Sequence, residues 1–360
     1  VGETVWASRL AQVCEHEQVL GCWVGEGEVR EADVTLNTVR QWRRRYLEHG
    51  LWGLLDRRKG GPVLGIQRRA GSTSRVSLEA ALQPDVKCNP RGQQARALLK
   101  WPGNKSGLVE DLWTRAPRTF RCYHEPFAGG ATFFYRLRPQ RAVLSDVNAE
   151  LMNVYMVTRA SPADLIVALD RHVDSPEHYY AVRSLDPASL PPVERAARTM
   201  FLNRTAFNGM YRVNRRGCFN VPYGGLRMAT FFQPHVVWAW HQALQETRLC
   251  VADYRESMAE PRRGDLVFLD PPYAATLRGG HTFNYSANTF TDRDQEEVAA
   301  QVVVLDRRGC KIMAMNADCS YIRRLYKGFH MTRLLVRRRV GGHAARRGVA
   351  QDVLVTNYVP

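Results

Sequence analysis

The 360-residue sequence has no apolar run near the ~18 residues that a membrane-spanning helix requires. It opens on no charged-then-apolar export signal. Both absences point away from a membrane-embedded or exported protein. Eight cysteines (Cys14, Cys22, Cys88, Cys122, Cys218, Cys250, Cys310 and Cys319) form no C-x-x-C pair, so neither zinc nor any other metal is expected. A reduced, cytoplasmic setting fits that cysteine usage. No internal repeat is present. The most informative gap is in one sign of charge. From Arg195 to Gln245 there is neither Asp nor Glu, while the same stretch holds Arg195, Arg198, Arg204, Arg212, Arg215, Arg216 and Arg227.

Against those absences stands a globular composition, 45% hydrophobic, with a formal net charge of +16. Such an excess suits a partner covered in phosphates. Two further basic clusters are "RQWRRR" (40–45) and "RRRVGGHAARR" (337–347). Three zones follow one another. Residues 1–65 hold short helical patterns, and residues 66–96 are polar and Gly/Ser/Pro-bearing, as a linker is. From about residue 97, short apolar strands alternate with helical segments, which predicts an α/β fold with a mostly parallel sheet. The candidate strands are "CYHEPF", "AVLSD", "LCVADY", "LVFLD", "KIMAM" and "VLVTNY".

Acids close or follow three of those strands: Asp146, Asp253 and Asp270. In an open α/β sheet, ligands sit beyond the carboxyl ends of the strands, where acids can face hydroxyls and amines. "HEPFAGGATFF" (124–134) follows a strand and opens a helix, and Gly129–Gly130 permit a tight turn and close backbone approach. Asp146 stands at the end of the next strand, where a βαβ unit places the acid that holds ribose hydroxyls. "LKWPGNKSGL" (99–108) reads either as an exposed loop or as a clamp for an aromatic, charged cofactor. "VFLDPPYAA" (267–275) ends an apolar strand on Asp-Pro-Pro-Tyr, which by itself is compatible with a plain turn.

Together these motifs resemble, in order, those of the Dam-like DNA adenine-N6 methyltransferases over residues 97–360. "LKWPGNK" is similar to the N-terminal cofactor motif, "EPFAGGATFF" to the first methyltransferase motif and "LSDVNAELMNVY" (144–155) to the second. "FLNRTAFNGMYRVNRRGCFNVPYG" (201–224) resembles the target-recognition hairpin, and "VFLDPPY" the catalytic motif. "NTFTDRDQEEVA" (288–299) and "DVLVTNY" (352–358) match as well. The resemblance implies a Rossmann-like sheet that binds S-adenosyl-L-methionine over 97–157 and 246–360. An inserted, mostly helical recognition domain over 158–245 would carry the hairpin.

The family's chemistry gives Asp-Pro-Pro-Tyr a purpose. Adenine's exocyclic amine is a poor nucleophile, because its lone pair is delocalised into the ring. An ionised Asp270 accepts a hydrogen bond from one N–H, and the carbonyl of Pro271 or Pro272 accepts from the other. With both protons held, the lone pair can turn toward a sulfonium methyl. The prolines aim the acceptors in advance, and Tyr273 offers a face on which a flipped base stacks. By the same resemblance Trp101, Gly103 and Lys105 contact the cofactor. Glu125, Pro126, Phe127, Gly129 and Gly130 form its loop, Asp146 takes the ribose and Asp253 the adenine amine. Core packing for Phe127 and a solvated strand end for Asp253 are the structural alternatives.

Duplex DNA needs cations for phosphates and a few groups for base edges. Residues 208–222 read as a β-hairpin around a basic turn at Asn214–Gly217, with Arg215 and Arg216 on it. Arg212 is the candidate for a bidentate contact to guanine, and Met210 and Pro222 for apolar base contacts. Phe207 and Asn208 match residues that fill the gap left by a flipped adenine. Arg204 either positions phosphates or belongs to the helix that "NRT" continues. These identities fit a GATC site, or one containing GA, although Cys218-Phe219 departs from the Glu-Phe expected there.

Residues 34–62 resemble the helix-turn-helix of insertion-sequence transposases, with Arg40, Arg43 and Arg44 near DNA. A fusion remnant or a poorly folded leader is the alternative. The chain opens on Val1, as a fragment or an unusual start would, and the enzyme proper is expected to begin near Leu98. The expected partner is double-stranded DNA, with a cognate restriction endonuclease as a further candidate. The expected state is a monomer or weak dimer. Competing readings are a catalytically dead, transposase-derived DNA-binding protein and a methyltransferase acting on RNA or protein amines.

Overall fold

The computed structural model describes residues 97–214, 216–225, 232–273, 290–337 and 349–360. The helix-turn-helix resemblance at 34–62, the linker at 66–96 and Arg215 lie outside the described residues. So does most of the basic cluster 337–347.

Seven strands form one sheet in the order β3-β2-β1-β4-β5-β7-β6. They are β1 (Tyr123–Glu125), β2 (Ala142–Asp146), β3 (Thr247–Val251), β4 (Leu266–Leu269), β5 (Lys311–Ala317), β6 (His330–Arg337) and β7 (Val349–Thr356). The first five strands in that order run parallel, and β7 enters antiparallel between β5 and β6. The six expected strands are thus all present, and β6 is an addition to them. The order in which strands are added reverses between the parallel neighbours β1 and β4: β1 leads outward to β2 and β3, and β4 leads the other way to β5. A ligand crevice opens at such a switch point, outside the carboxyl ends of the strands.

Ten helices are described, from α1 (Val109–Arg115) and α2 (Thr132–Leu137) through α3 (Ala149–Ala160), α4 (Pro162–Asp170), α5 (Pro176–Ser184) and α6 (Pro192–Thr205). They continue with α7 (Pro234–Leu244), α8 (Tyr254–Ala259), α9 (Asp292–Arg307) and α10 (Ser320–Leu325). The strand period of two splits β4 between two layers. Val267 and Leu269 join Met258 of α8, Ile322 of α10 and the α9 stripe Val298, Val302 and Leu305 in one core. Phe268 faces the opposite layer and meets Phe133 of α2 at 4.7 Å between ring centroids. A helix on each face buries a sheet whose central strands are apolar on both sides.

A smaller core lies beside α5 and α6. Tyr179, Val182, Phe201, Leu202, Ala206 and Val221 are buried together, with Met210, Phe219 and Tyr223 against them. It supports the expected hairpin, which survives as two isolated bridges, Ala206↔Tyr223 and Val213↔Phe219. The turn between them is closed by the Asn214 side chain, which accepts from the backbone N–H groups of Arg216 (2.9 Å) and Cys218 (3.0 Å).

Candidate active site

Three separate stretches of sequence converge at the switch point. β1 ends in Glu125, and the chain turns through Phe127, Ala128 and Gly129 into α2. Gly129 and Ala131 both take left-handed backbone angles, φ +46° and +42°. The Gly129 N–H donates to Asp146 Oδ2 at the end of β2 (3.0 Å), and Asp146 Oδ1 accepts from Asn148 N (2.9 Å). Burial pushes the Asp146 carboxyl up, and those two backbone donors pull against it. The Tyr155 hydroxyl donates to Gly129 O at 2.7 Å and fixes the loop from the other side.

Trp101 lies across this loop. A Cβ on Gly129 would stand 3.0 Å from its Cδ1, tighter than ordinary van der Waals contact, so the glycine is needed for space as well as for φ. Four residues on, Lys105 reaches across to the Asp-Pro-Pro-Tyr motif. Its ammonium donates to both oxygens of Asp270, at 2.6 and 2.7 Å, and to Gly103 O at 2.8 Å. Both side chains are largely enclosed, 10% and 18% exposed. Burial pushes the Asp270 carboxyl up, Lys105 pulls it back down, and Asp352 adds a further upward push. Two short contacts from one side-chain nitrogen to both oxygens are the geometry of a charge-assisted pair.

The prolines and the tyrosine have partners that the sequence did not single out. The Gln295 amide donates to Pro272 O at 2.6 Å and itself accepts from Asn316 Nδ2 at 2.9 Å. Gln295 and Asn316 are both buried. The Tyr273 hydroxyl donates to Asp352 Oδ2 at 2.6 Å. Asp352 is also buried, and its other oxygen has no hydrogen-bond partner among the described residues. A signal for Gln295 was available: it heads the apolar stripe Val298, Ala299, Val302 and Leu305 on α9, where a polar side chain needs a buried partner. Asp352 likewise interrupts an apolar strand.

The remaining expected cofactor residues divide. Glu125 is buried beneath the cleft and accepts from the Tyr123 hydroxyl at 2.8 Å, and burial raises its carboxyl well above the usual range. Phe127 stacks on Tyr254 (5.3 Å, 25°) and meets Phe290 edge-on (6.0 Å). Asp253 caps α8 by accepting from Arg255 N at 2.9 Å, and it remains partly exposed.

The hairpin side is joined to the cleft. Trp101 packs on Tyr211 with centroids 4.6 Å apart. Asn203 of α6 clasps the backbone of Lys100, accepting from its N–H at 2.8 Å and donating to its carbonyl at 2.7 Å. Phe207, Asn208, Arg216 and Pro222 are exposed, with Asn208 held at φ +57°. Met210 is half-buried against the small core, and Arg212 donates to Asn220 Oδ1 at 2.8 Å. Arg204 departs from the expected DNA contact. Its guanidinium donates to Ala97 O and Leu98 O, both at 2.8 Å, and thereby anchors the start of the described chain. The continuation of α6 through "NRT" turns that side chain inward, which is the structural alternative the sequence left open.

Comparison with known proteins agrees with this geometry. The profile of the D12 class N6 adenine-specific DNA methyltransferases matches residues 101–340. The Type II methyltransferase M1.LlaDCHI of Lactococcus lactis subsp. cremoris is 32% identical over 271 residues, which is 73% of this chain and 95% of that protein. The DNA adenine methylase of Vibrio cholerae is 30% identical, over 73% of this chain and 96% of its own. That of Escherichia coli K12 is 28% identical, over 72% and 94%. With most of its length under the family profile and the motifs meeting in one cleft, the chain belongs to the D12 class of N6 adenine-specific DNA methyltransferases.

Proposed function

We propose that this methyltransferase takes its methyl group from S-adenosyl-L-methionine and delivers it to an adenine flipped out of duplex DNA, within GATC or another GA-containing site. The observation that carries the reading is the Lys105–Asp270 bond, made by a segment that also covers the glycine loop. It joins the motifs expected for cofactor and target in a single cleft. The residues fit such a cofactor. Gly129 leaves room that any Cβ would fill, Asp146 keeps further lone pairs for hydroxyls, and the Phe127–Tyr254–Phe290 group offers apolar faces. When bound, S-adenosyl-L-methionine supplies an electrophilic methyl on a positively charged sulfur.

The chain's own groups prepare the amine. Asp270 accepts a hydrogen bond from one N6 proton. The carbonyl of Pro271 or Pro272 accepts the second proton, and Gln295 fixes the Pro272 carbonyl through one of its two lone pairs. Holding both protons frees the nitrogen lone pair, and rigid acceptors need no reorganisation during transfer. Asp270 keeps its contact with that proton and receives it only after the N–C bond has formed and the cationic nitrogen has become acidic. The Tyr273 ring, fixed through Asp352, gives the base its stacking face.

On this reading residues 97–157 and 246–360 form the catalytic part and 158–245 the recognition part. Arg212, Met210 and Pro222 read base edges, Phe207 and Asn208 occupy the vacated stack, and Arg216 with the loop residues Asn214 and Arg215 meets the backbone. The enzyme works on DNA in the cytoplasm as a monomer or weak dimer, beside a cognate restriction endonuclease where one is encoded. Methyl transfer from labelled S-adenosyl-L-methionine to duplexes that differ only in the site tests it. Incorporation into GATC duplexes, and none when the adenine is replaced, is expected. Equal incorporation into duplexes without GA would overturn the site, and none into any duplex the activity.

A further inference from the structure

A cavity of about 600 Å³ lies apart from the methylation cleft. It lies at the opposite end of the sheet. Cys122, Arg141 and Asp265, which line it, immediately precede β1, β2 and β4. These strands are parallel, so the cavity sits at their amino ends and the cleft at their carboxyl ends. Five residue steps along β4 separate Asp265 from Asp270, roughly 16 Å at the usual strand rise.

The charges of this cavity are arranged unevenly. Asp265 is buried and already satisfied: Arg121 grips both its oxygens (2.9 and 3.0 Å), and the Arg262 N–H (2.8 Å) and His124 Nε2 (3.1 Å) share Oδ2. Glu260 pairs with Arg248. Arg308 donates to the carbonyls of Ala259 and Pro261, which end the α8 segment. Two lining guanidinium groups remain. The side chains of Arg141 and Arg262 make no ion pair or hydrogen bond among the described residues. Both carboxylates are therefore neutralised, while the charges of Arg141, Arg262 and the carbonyl-bound Arg308 are not, and only Arg141 and Arg262 keep all their side-chain donors free among the described residues. The lining contains no Phe, Tyr or Trp, and its apolar members are only Ala259 and Pro261. Such a wall offers many donors to oxyanions and, beside the guanidinium planes, only the His124 imidazole as an aromatic face.

We propose that this basin binds a small polyphosphate anion, with Arg141 and Arg262 as its principal donors and Arg121 as a third, held in place by Asp265. The basin is roomy enough to admit an anion of pyrophosphate or triphosphate size together with its bound water. A guanidinium fork matches phosphate oxygens two at a time. The site is separate from the duplex path, because the cleft that receives the target faces the other way. The inference does not rest on the reading of cofactor and target site: its primary readout is anion binding, and methyl transfer and duplex binding serve only as controls.

The test uses the full chain and two probes, inorganic pyrophosphate and inorganic triphosphate, titrated calorimetrically. Saturable binding is expected, with a matching rise in the thermal midpoint, because a ligand that binds only the folded state stabilises it by mass action. Cys122 lines the basin and is partly exposed, so occupancy should also slow its alkylation by a maleimide, read at that residue by mass spectrometry. The double variant Arg141→Gln/Arg262→Gln changes two exposed side chains. It should lose about tenfold in affinity per guanidinium removed, while methyl transfer stays at the parental rate. ATP binding no tighter than triphosphate would show that the phosphates alone are read. Absence of saturable binding by a folded, active protein overturns the proposal. So does unchanged affinity in the double variant, or a double variant whose main defect is weaker duplex binding, which would make the basin a DNA contact.

Discussion

Lys105→Met isolates the role of the cation beside Asp270. Methionine keeps most of the length and apolar stem but removes the ammonium and both of its hydrogen bonds to the carboxylate. The two contacts come from one ammonium and count as one charged interaction, worth roughly 1.5–3 kcal/mol net. Enclosure of both side chains keeps the pair from being screened as a surface pair is. Burial already pushes the Asp270 carboxyl up and Lys105 opposes it, so losing Lys105 raises it further. The sign follows directly. Transfer needs the carboxylate, the carboxylate fraction falls as pH falls through the group's pKa, and a higher pKa moves the acid limb to higher pH. At a fixed pH on that limb, the loss is about 10- to 100-fold in rate. Single-turnover methyl transfer to a duplex oligonucleotide, measured across pH with cofactor saturating, reads the limb directly. Cofactor affinity, measured separately, shows whether Lys105 serves that instead. An acid limb that stays where it was, whatever happens to cofactor affinity, would refute the reasoning.

Other outcomes follow from the same geometry. Gln295→Leu leaves the Pro272 carbonyl and the Asn316 amide without their partner, at a cost of about 2–4 kcal/mol in folding stability by chemical denaturation. Its turnover should fall while cofactor affinity holds, and turnover equal to the parent would remove Gln295 from the account. Gly224→Ala puts a Cβ 2.4 Å from Phe207 Cα, a backbone clash that must displace the Phe207 turn. Duplex affinity should drop about tenfold by gel shift with little change in cofactor binding, and unaltered duplex affinity would mean the turn does not touch DNA. Burial lowers His172 from 6.5 to about 4, with His178 alongside at 2.9 Å and adding to the effect. The unfolded chain then binds the extra proton first, so stability is complete above about pH 6.5 and declines as pH falls toward about 4, by up to about 3 kcal/mol. Denaturation midpoints of His172→Phe should lose that slope, and a slope equal to the parent's would place its origin elsewhere.

Much of this architecture was legible before any coordinates. Short apolar runs marked six of the seven strands, three of them closed or followed by an acid, and the glycine turn and strand ends singled out Gly129, Asp146 and Asp270. β6 escaped because "HMTRLLVR" carries two arginines and sits on the sheet edge, where one side of the strand need not be apolar. Gln295, Asn316 and Asp352 escaped for a different reason. Their partners lie 23, 21 and 79 residues away in sequence, and only folding brings them together. Arg204 shows the converse. Its charge suggested a surface contact, and its helical register turned it onto two backbone carbonyls.

The contact between Trp101 and Tyr211 has an evolutionary corollary. One ring belongs to the segment that roofs the glycine loop, the other to the segment proposed to read sequence, and Asn203 of α6 clasps the Lys100 backbone beside them. A recognition hairpin transplanted from a relative with another target would arrive without a matching face for the indole. New specificity in this lineage should therefore accumulate through substitutions on the exposed side of the hairpin, or through exchange of both segments together.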